Sequence, residues 1–407
     1  MSSLHDTPRA NRLHIALFGI TNAGKSSLIN TLTGQEIALV SKVKGTTTDP
    51  VYKAMEIPFL GPVMFIDTAG LDDQSELGEL RKKKTLEVLN KTDIAILVCD
   101  AVVGITDFDC QILDLLQEKK IPLLGVVNKI DLVADAKKKL MEYAQKLRIK
   151  LLGISTSTGK GLKELKEALI KIVPEDEDNF QIVGDLIAPG DFVVLVIPID
   201  ESAPKGRLIL PQQQTLRNIL DNNAMGVVTK DEQLKVILAN LQKKPRLVIT
   251  DSQVFHKVAK ETPEDVWLTS FSILFARHKG DLKELVQGAQ AIETLQDGDK
   301  ILIAEACTHH RQSDDIGTVK IPHWLRQKTG KELIFEYSSG YSFPDNLQEY
   351  ALIIHCAGCM LNRKAMLYRI SQAQDAGVPI VNYGVLIAYL HGILQRSLLP
   401  FGLDLSY

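Results

Sequence analysis

Short apolar runs that alternate with amphipathic stretches along the whole chain predict an α/β fold with mainly parallel sheets. Strands buried on both faces read as continuous apolar segments, and parallel partners need helical crossovers between them. Two further observations divide that fold. The stretch Lys171-Ile172-Val173-Pro174-Glu175-Asp176-Glu177-Asp178 combines a helix end, a proline and an acidic run, the composition of an exposed linker. The length of 407 residues exceeds what one core serves, roughly 100–200 residues per domain. The expected division is an N-terminal domain over residues 1–173, a middle one over 174–264 and a C-terminal one over 265–407.

Composition narrows the partners. With 45% hydrophobic residues, 24% charged residues and a formal net charge of −3, the chain lacks the basic field that nucleic-acid binding uses, so no nucleic-acid partner is expected. The longest apolar run, residues 192–197, falls far short of the roughly 20 residues a bilayer span needs, and no membrane contact is expected. Met1-Ser2-Ser3-Leu4-His5-Asp6 lacks the basic and apolar segments of a secretion signal, which predicts a cytoplasmic location. In that reducing compartment clustered cysteines favour metal ligation over disulfides.

The first apolar segment, residues 13–18, reads as a buried strand and runs into Gly19-Ile20-Thr21-Asn22-Ala23-Gly24-Lys25-Ser26, after which residues 27–32 read as a helix. This is G-x-x-x-x-G-K-S in the strand–loop–helix context it requires. Gly19 and Gly24 let backbone N–H groups turn inward on phosphates, Lys25 can reach the β- and γ-phosphates, and Ser26 can ligate Mg²⁺. Asn22, Ala23 and Ser27 complete the expected phosphate contacts. A strand over residues 63–66 delivers Asp67-Thr68-Ala69-Gly70, where Asp67 can hold the Mg²⁺ shell and the Gly70 N–H can sense the γ-phosphate. Gly45-Thr46-Thr47-Thr48-Asp49 supplies the other switch, with Thr47 the expected Mg²⁺-sensing hydroxyl and Thr46 and Thr48 the alternatives. The strand over residues 123–127 ends in Asn128-Lys129-Ile130-Asp131. The Asp131 carboxylate can accept two hydrogen bonds from guanine N1 and N2, a pattern adenine does not offer, so GTP and GDP are the expected nucleotides. Ser155 and Thr156, after a strand over residues 151–154, complete the guanine pocket.

With these motifs in order, residues 11–173 resemble the translation-factor class of GTPases, in particular its Era and TrmE branch. The resemblance implies a P-loop GTPase domain that hydrolyses GTP with Mg²⁺. Leu71 stands where Ras-like enzymes place the glutamine that orients the attacking water, which implies slow intrinsic hydrolysis. In TrmE proteins the asparagine that matches Asn22 helps bind a K⁺ ion in place of an arginine finger, and a glutamate that matches Glu79 positions water. On that likeness Asn22 is the expected K⁺ ligand, and Glu79 joins Lys25, Asn22, Thr47 and Gly70 as a catalytic residue.

Beyond the linker, residues 192–197, 227–228, 247–249 and 266–268 read as short strands separated by amphipathic stretches over 214–220 and 232–241. This second α/β unit offers no titratable cluster and no glycine loop, which suits an assembly role better than catalysis. His256 and His278 are isolated and read as structural or solvated. A third α/β pattern follows, with strands over 301–304, 333–335, 351–354 and 379–381 and helices over 322–328 and 363–373. In a parallel sheet the residues just past the strand ends share one rim, where open α/β folds bind ligands. Cys307-Thr308-His309 follows one strand and His355-Cys356-Ala357-Gly358-Cys359 ends another, so the two half-motifs are expected to meet. Three thiolates with one or two imidazoles suit zinc or an iron–sulfur cluster and do not suit magnesium or calcium. Three cysteines leave one iron of a cubane cluster for a histidine or an exogenous ligand. Cys99 and Cys110 read as small apolar residues of the first domain.

The C-x-H and H-C-x-x-C motifs behind a TrmE-like GTPase and a middle domain resemble the [FeFe]-hydrogenase maturation GTPases called HydF. That resemblance covers the whole chain. It implies a GTPase and carrier that holds a binuclear iron precursor, made by radical-SAM maturases, beside a [4Fe–4S] cluster and transfers it to the apo-[FeFe]-hydrogenase. It puts the cluster cysteines on Cys307, Cys356 and Cys359, with His309 or His355 as fourth ligands, and makes the middle domain a homodimer contact. The rival reading is a ribosome- or tRNA-associated GTPase with a structural zinc module.

Overall fold

In this computed structural model the described residues are 9–33, 50–57, 60–68, 78–173, 181–199, 208–306, 315–340, 343–344, 346–356, 358 and 361–404. The chain forms two compact units, Met1–Glu175 and Asp176–Tyr407.

The first unit runs β1 (Leu13–Phe18), α1 (Lys25–Thr33), β2 (Val51–Ile57), β3 (Gly61–Asp67), α2 (Gly78–Leu89), β4 (Ile94–Asp100), α3 (Asp107–Glu118), β5 (Leu123–Asn128), α4 (Ala136–Leu147), β6 (Leu151–Gly153) and α5 (Leu162–Ile172). Its sheet has the order β2-β3-β1-β4-β5-β6. Every pairing is parallel except β2 with β3, which is antiparallel. Strand β1 is buried along its whole length, with apolar layers on both faces of the sheet, as a central parallel strand must be. Strand β2 was not expected, because Val-Tyr-Lys-Ala-Met-Glu-Ile is no continuous apolar run and leaves four residues exposed, the signature of an edge strand rather than a core one. Local sequence also fixes helix ends. Thr106 accepts from the Asp109 amide while the Asp109 carboxylate accepts from the Thr106 amide, so α3 begins on a reciprocal cap.

The second unit holds two four-stranded parallel sheets. One comprises β7 (Phe192–Val196), α6 (Leu210–Asp221), β8 (Met225–Thr229), α7 (Leu234–Asn240), β9 (Leu247–Thr250), α8 (Phe255–Glu261) and β10 (Trp267–Ser270), with strand order β10-β9-β7-β8. The helices α9 (Phe271–Lys279) and α10 (Leu282–Gln290) lead to the other. It comprises β11 (Lys300–Glu305), α11 (Ile321–Thr329), β12 (Ile334–Ser339), β13 (Leu352–His355), α12 (Arg363–Asp375) and β14 (Ile380–Asn382), with order β12-β11-β13-β14, and is followed by α13 (Tyr383–Leu390) and α14 (Leu394–Leu398).

The expected boundary between residues 264 and 265 falls ahead of β10, which pairs with β9 and so completes the first of these sheets. Nor are the middle and C-terminal parts separate bodies. One apolar cluster joins Val194, Val248 and Leu268 of the first sheet to Ile301, Ile353 and Val381 of the second. Helix α9 explains this, since Ile273 and Ala276 face that shared core while Phe271, Leu274 and Phe275 face the opposite layer. Helix α10 closes one edge of the second sheet. A Cβ at Gly288 would lie 1.9 Å from the Ile380 carbonyl oxygen, so glycine lets the helix backbone sit against β14. By strand order β10 and β8 are the edges of the first sheet, and β12 and β14 those of the second.

Candidate functional site

The C-terminal ends of β1, β3, β4 and β5 bring the phosphate-side residues together. Lys25 is buried, and its ammonium donates to the carbonyls of Gly19 at 2.6 Å and Ile20 at 2.8 Å. Both of these acceptors are neutral carbonyls of the loop that a phosphate would enter, so the bonds hold the ammonium at the phosphate side. Asn22 adopts φ 67°, a left-handed conformation that Asn tolerates well and that turns the loop back on itself. Ala23 is buried, and α1 starts at Lys25, so the loop leads directly into a helix N-terminus, where anions are favoured. Ser27, in the first turn of α1, is exposed.

Ser26 donates its hydroxyl to one carboxylate oxygen of Asp67, while the other, Asp67 Oδ1, is buried with no hydrogen-bond partner among the described residues. A hydroxyl and an orphaned carboxylate oxygen side by side fit a Mg²⁺ shell, the role expected for both. Thr47 and Gly70, with Thr46 and Thr48, lie outside the described residues, and Glu79 is placed in the first turn of α2.

The guanine side is built by the loops after β5 and β6. Asn128 is fully buried and clamps the two halves of the pocket: its amide donates to the Ala23 carbonyl at 3.0 Å, and its oxygen accepts from the Thr156 amide at 3.1 Å. Gly24, at φ 93°, must be glycine here, because a Cβ would lie 2.2 Å from that same Asn128 amide nitrogen. Lys129, at φ 63°, pairs with Asp100 at 2.6 Å. Burial opposes the charge on Asp100, yet the Lys129 ammonium and the amides of Val102 and Val103 hold its carboxyl below the usual range. Asp100 was not anticipated, although an acid ending the apolar run of β4 is an unusual residue for that place. Asp131 is exposed, and bonds from the Ser155 hydroxyl first, then from its own amide and Ser157, keep it ionised and ready to accept. Replacing Asn128 by Ala should therefore weaken GDP binding by about 10–100-fold, since it removes the clamp and orphans buried groups worth about 1–3 kcal/mol. Titration with a fluorescent GDP analogue checks this, and unchanged affinity would refute the clamp.

In the second unit β11 and β13 are adjacent and parallel, with Ala304 opposite His355. Cys356 follows directly, and its sulfur accepts from the amides of Ala306 at 3.2 Å and Gly358 at 3.4 Å. The residue before Cys307 thus touches Cys356. Backbone amides aimed at sulfur favour a thiolate, as a soft metal requires. Cys307, His309 and Cys359 lie outside the described residues, and among the described ones no group of three metal-ligating side chains occurs. His355, expected as a ligand, is fully buried with both ring nitrogens engaged: Nδ1 lies 2.5 Å from the Cys356 carbonyl oxygen and Nε2 lies 2.6 Å from Arg369 Nη1. Burial first and the Arg369 charge second push its pKa down to about 3, so the ring is neutral. Cys99 is buried, as expected.

Family models match the chain in three consecutive stretches: a 50S ribosome-binding GTPase over residues 14–129, the hydrogen maturase F dimerization domain over 182–280 and the hydrogen maturase F tetramerization domain over 283–400. GTPase Der of Nitratidesulfovibrio vulgaris is 37% identical over 175 residues, covering 40% of this chain and 35% of that protein. The tRNA modification GTPase MnmE of Desulforamulus reducens is 36% identical over 165 residues, covering 40% and 35%. The chain thus spans about a third of the length of the curated relatives it matches. Among solved structures, Era of Aquifex aeolicus bound to GDP and aluminium fluoride is 22% identical with a TM-score of 0.36, covering 53% of this chain and 92% of that one. Since the two hydrogen maturase F domains together cover more than half of the sequence, behind a GTPase domain, the chain belongs to the HydF family of hydrogenase maturation GTPases.

Proposed function

We propose that this chain is a GTP-hydrolysing scaffold that carries a [4Fe–4S] cluster on Cys307, Cys356 and Cys359, receives a binuclear iron precursor from radical-SAM maturases and passes it to apo-[FeFe]-hydrogenase. The single observation that carries the reading is the Ala306 amide on the Cys356 sulfur, which sets the residue before Cys307 against Cys356 in a chain whose other unit is a GTPase domain. Bound at this rim, the cluster supplies an iron beside which the precursor can sit. In the first unit Lys25 binds the γ-phosphate oxygens, Ser26 and Asp67 hold Mg²⁺, Asn128 and Asp131 fix the base, and the switch residues Thr47 and Gly70 sense the phosphate. Asn22 as a K⁺ ligand and Glu79 as the water-positioning residue belong to the same reading.

Anaerobic reconstitution with iron and sulfide tests the scaffold. Uptake of about four irons and four sulfides per chain, with a reduced-cluster EPR signal that small exogenous ligands perturb, is expected. Tightly held zinc with no cluster uptake would instead favour a structural zinc module.

Dimerisation belongs to the proposal too. Edge strand β8 shows Met225 at 41% and Val228 at 44% exposure, an apolar edge that pairing with a second copy would cover. Val228→Lys should accordingly raise the dimer dissociation constant by about tenfold or more. Light scattering across a dilution series reads this, and an unaltered dimer would move the contact elsewhere.

A further inference from the structure

His355 and Arg369 form a fully buried pair that the cysteine motif does not explain. His355 ends β13 in the middle of its sheet, with Ala304 on one side and Asn382 on the other. Arg369, on α12, is 2% exposed. Its Nη1 meets His355 Nε2 at 2.6 Å, its Nη2 donates to the Gly340 carbonyl, and its guanidinium lies 4.7 Å over the Phe343 ring. A guanidinium has donors only, so Nε2 must be the acceptor and carry a lone pair directed at Arg369. The ring proton then sits on Nδ1, where the Cys356 carbonyl accepts it at 2.5 Å. Neither nitrogen keeps a lone pair for a metal. Ligation through Nε2 would strip a buried cation of an acceptor, a costly exchange.

The same contacts run into the thiol segment. The Cys356 carbonyl is held by the imidazole, the Cys356 amide donates to Ala304 O at 3.1 Å, and its sulfur accepts from Ala306 and Gly358. Further on, Leu361 N donates to Gly358 O at 2.9 Å, and the buried Lys279 donates to Leu361 O at 3.0 Å. We propose that Arg369 is a positioning residue for Cys356: by binding His355 Nε2 it withholds that histidine from the metal and turns its Nδ1–H onto the Cys356 carbonyl, leaving the fourth iron to a different ligand. The inference rests on the scaffold reading above for the identity of the metal, but the hydrogen-bond arrangement does not.

Long-range ¹H–¹⁵N correlation spectra of the metal-free full chain, with His355 assigned by its loss in His355→Asn, read the tautomer directly. A single Nδ1–H form is expected in the wild type and in Arg369→Lys, and its loss in Arg369→Met, which has no donor. An Nε2–H form in the wild type, or an unchanged Nδ1–H form in Arg369→Met, would overturn the proposal. Should Arg369→Met not fold, the wild-type and His355→Asn spectra still decide. In the second arm, pulsed EPR of the reconstituted, ¹⁵N-histidine-labelled chain should show the same nitrogen couplings before and after His355→Asn. A directly bound nitrogen that disappears with His355→Asn would overturn the proposal as well. Uptake of zinc alone by the wild type would sink the scaffold reading while the tautomer measurement continued to judge this one.

Discussion

Lys25→Ala should lower single-turnover GTP hydrolysis by about 10²–10³-fold while leaving iron uptake unchanged. The ammonium is buried and donates to the carbonyls of Gly19 and Ile20, and in the reaction it meets charge that grows on the phosphate oxygens. Removing one preorganised donor of this kind typically costs that much, because water cannot replace it in a closed loop. The loop also loses the donor that holds its first turn, so nucleotide affinity should fall along with the rate. Phosphate release at saturating GTP, beside a GDP titration, separates the two effects. Hydrolysis within tenfold of wild type would remove Lys25 from the machinery.

Cys356→Ala is expected to give the opposite pattern, with cluster content largely lost and GTP hydrolysis retained. Losing a direct thiolate should exceed the roughly 10–100-fold loss of metal affinity typical of an outer hydrogen-bonding partner. Two amides, of Ala306 and Gly358, would be left facing a methyl group in place of sulfur, so the rim loses its anchor as well as a ligand. Iron and sulfide analysis after reconstitution measures the effect, and a full cluster in the variant would mean that Cys356 is not a ligand.

The nucleotide site was legible because its chemistry dictates both residue type and spacing. Gly24 has to be glycine, Lys25 has to follow it, and Asn128 has to reach back to Ala23, whatever surrounds them. The parallel sheets were legible from their apolar runs. What escaped the sequence depends on partners distant along the chain. Strand β2 is an edge strand without an apolar face, helix α13 is buried on nearly every side and lacks a helical stripe, and α9 serves two cores at once. The boundary at 264/265 cuts off residues 266–268, which read as a strand of the second unit and complete its sheet by pairing with β9. The Lys129–Asp100 and His355–Arg369 pairs bridge separate elements, and the second turns a histidine of apparent ligand spacing into a hydrogen-bonded neighbour of the thiol.

The parallel pairing that sets Ala304 beside His355 also fixes how this rim tolerates insertion and deletion. Ala306 and Cys356 meet because β11 and β13 are neighbours in register, and the length of the surface connections between those two strands does not enter that contact. Lengthening that interval on the surface adds only a slowly growing closure entropy. Removing one residue from within β11, by contrast, would rotate every later side chain of the strand to the other face and carry the segment beyond it out of reach of Cys356. Length drift should therefore be confined to the surface connections of that interval, and be close to nil inside β11, β12 or β13 and at Gly340 and Phe343, which hold Arg369.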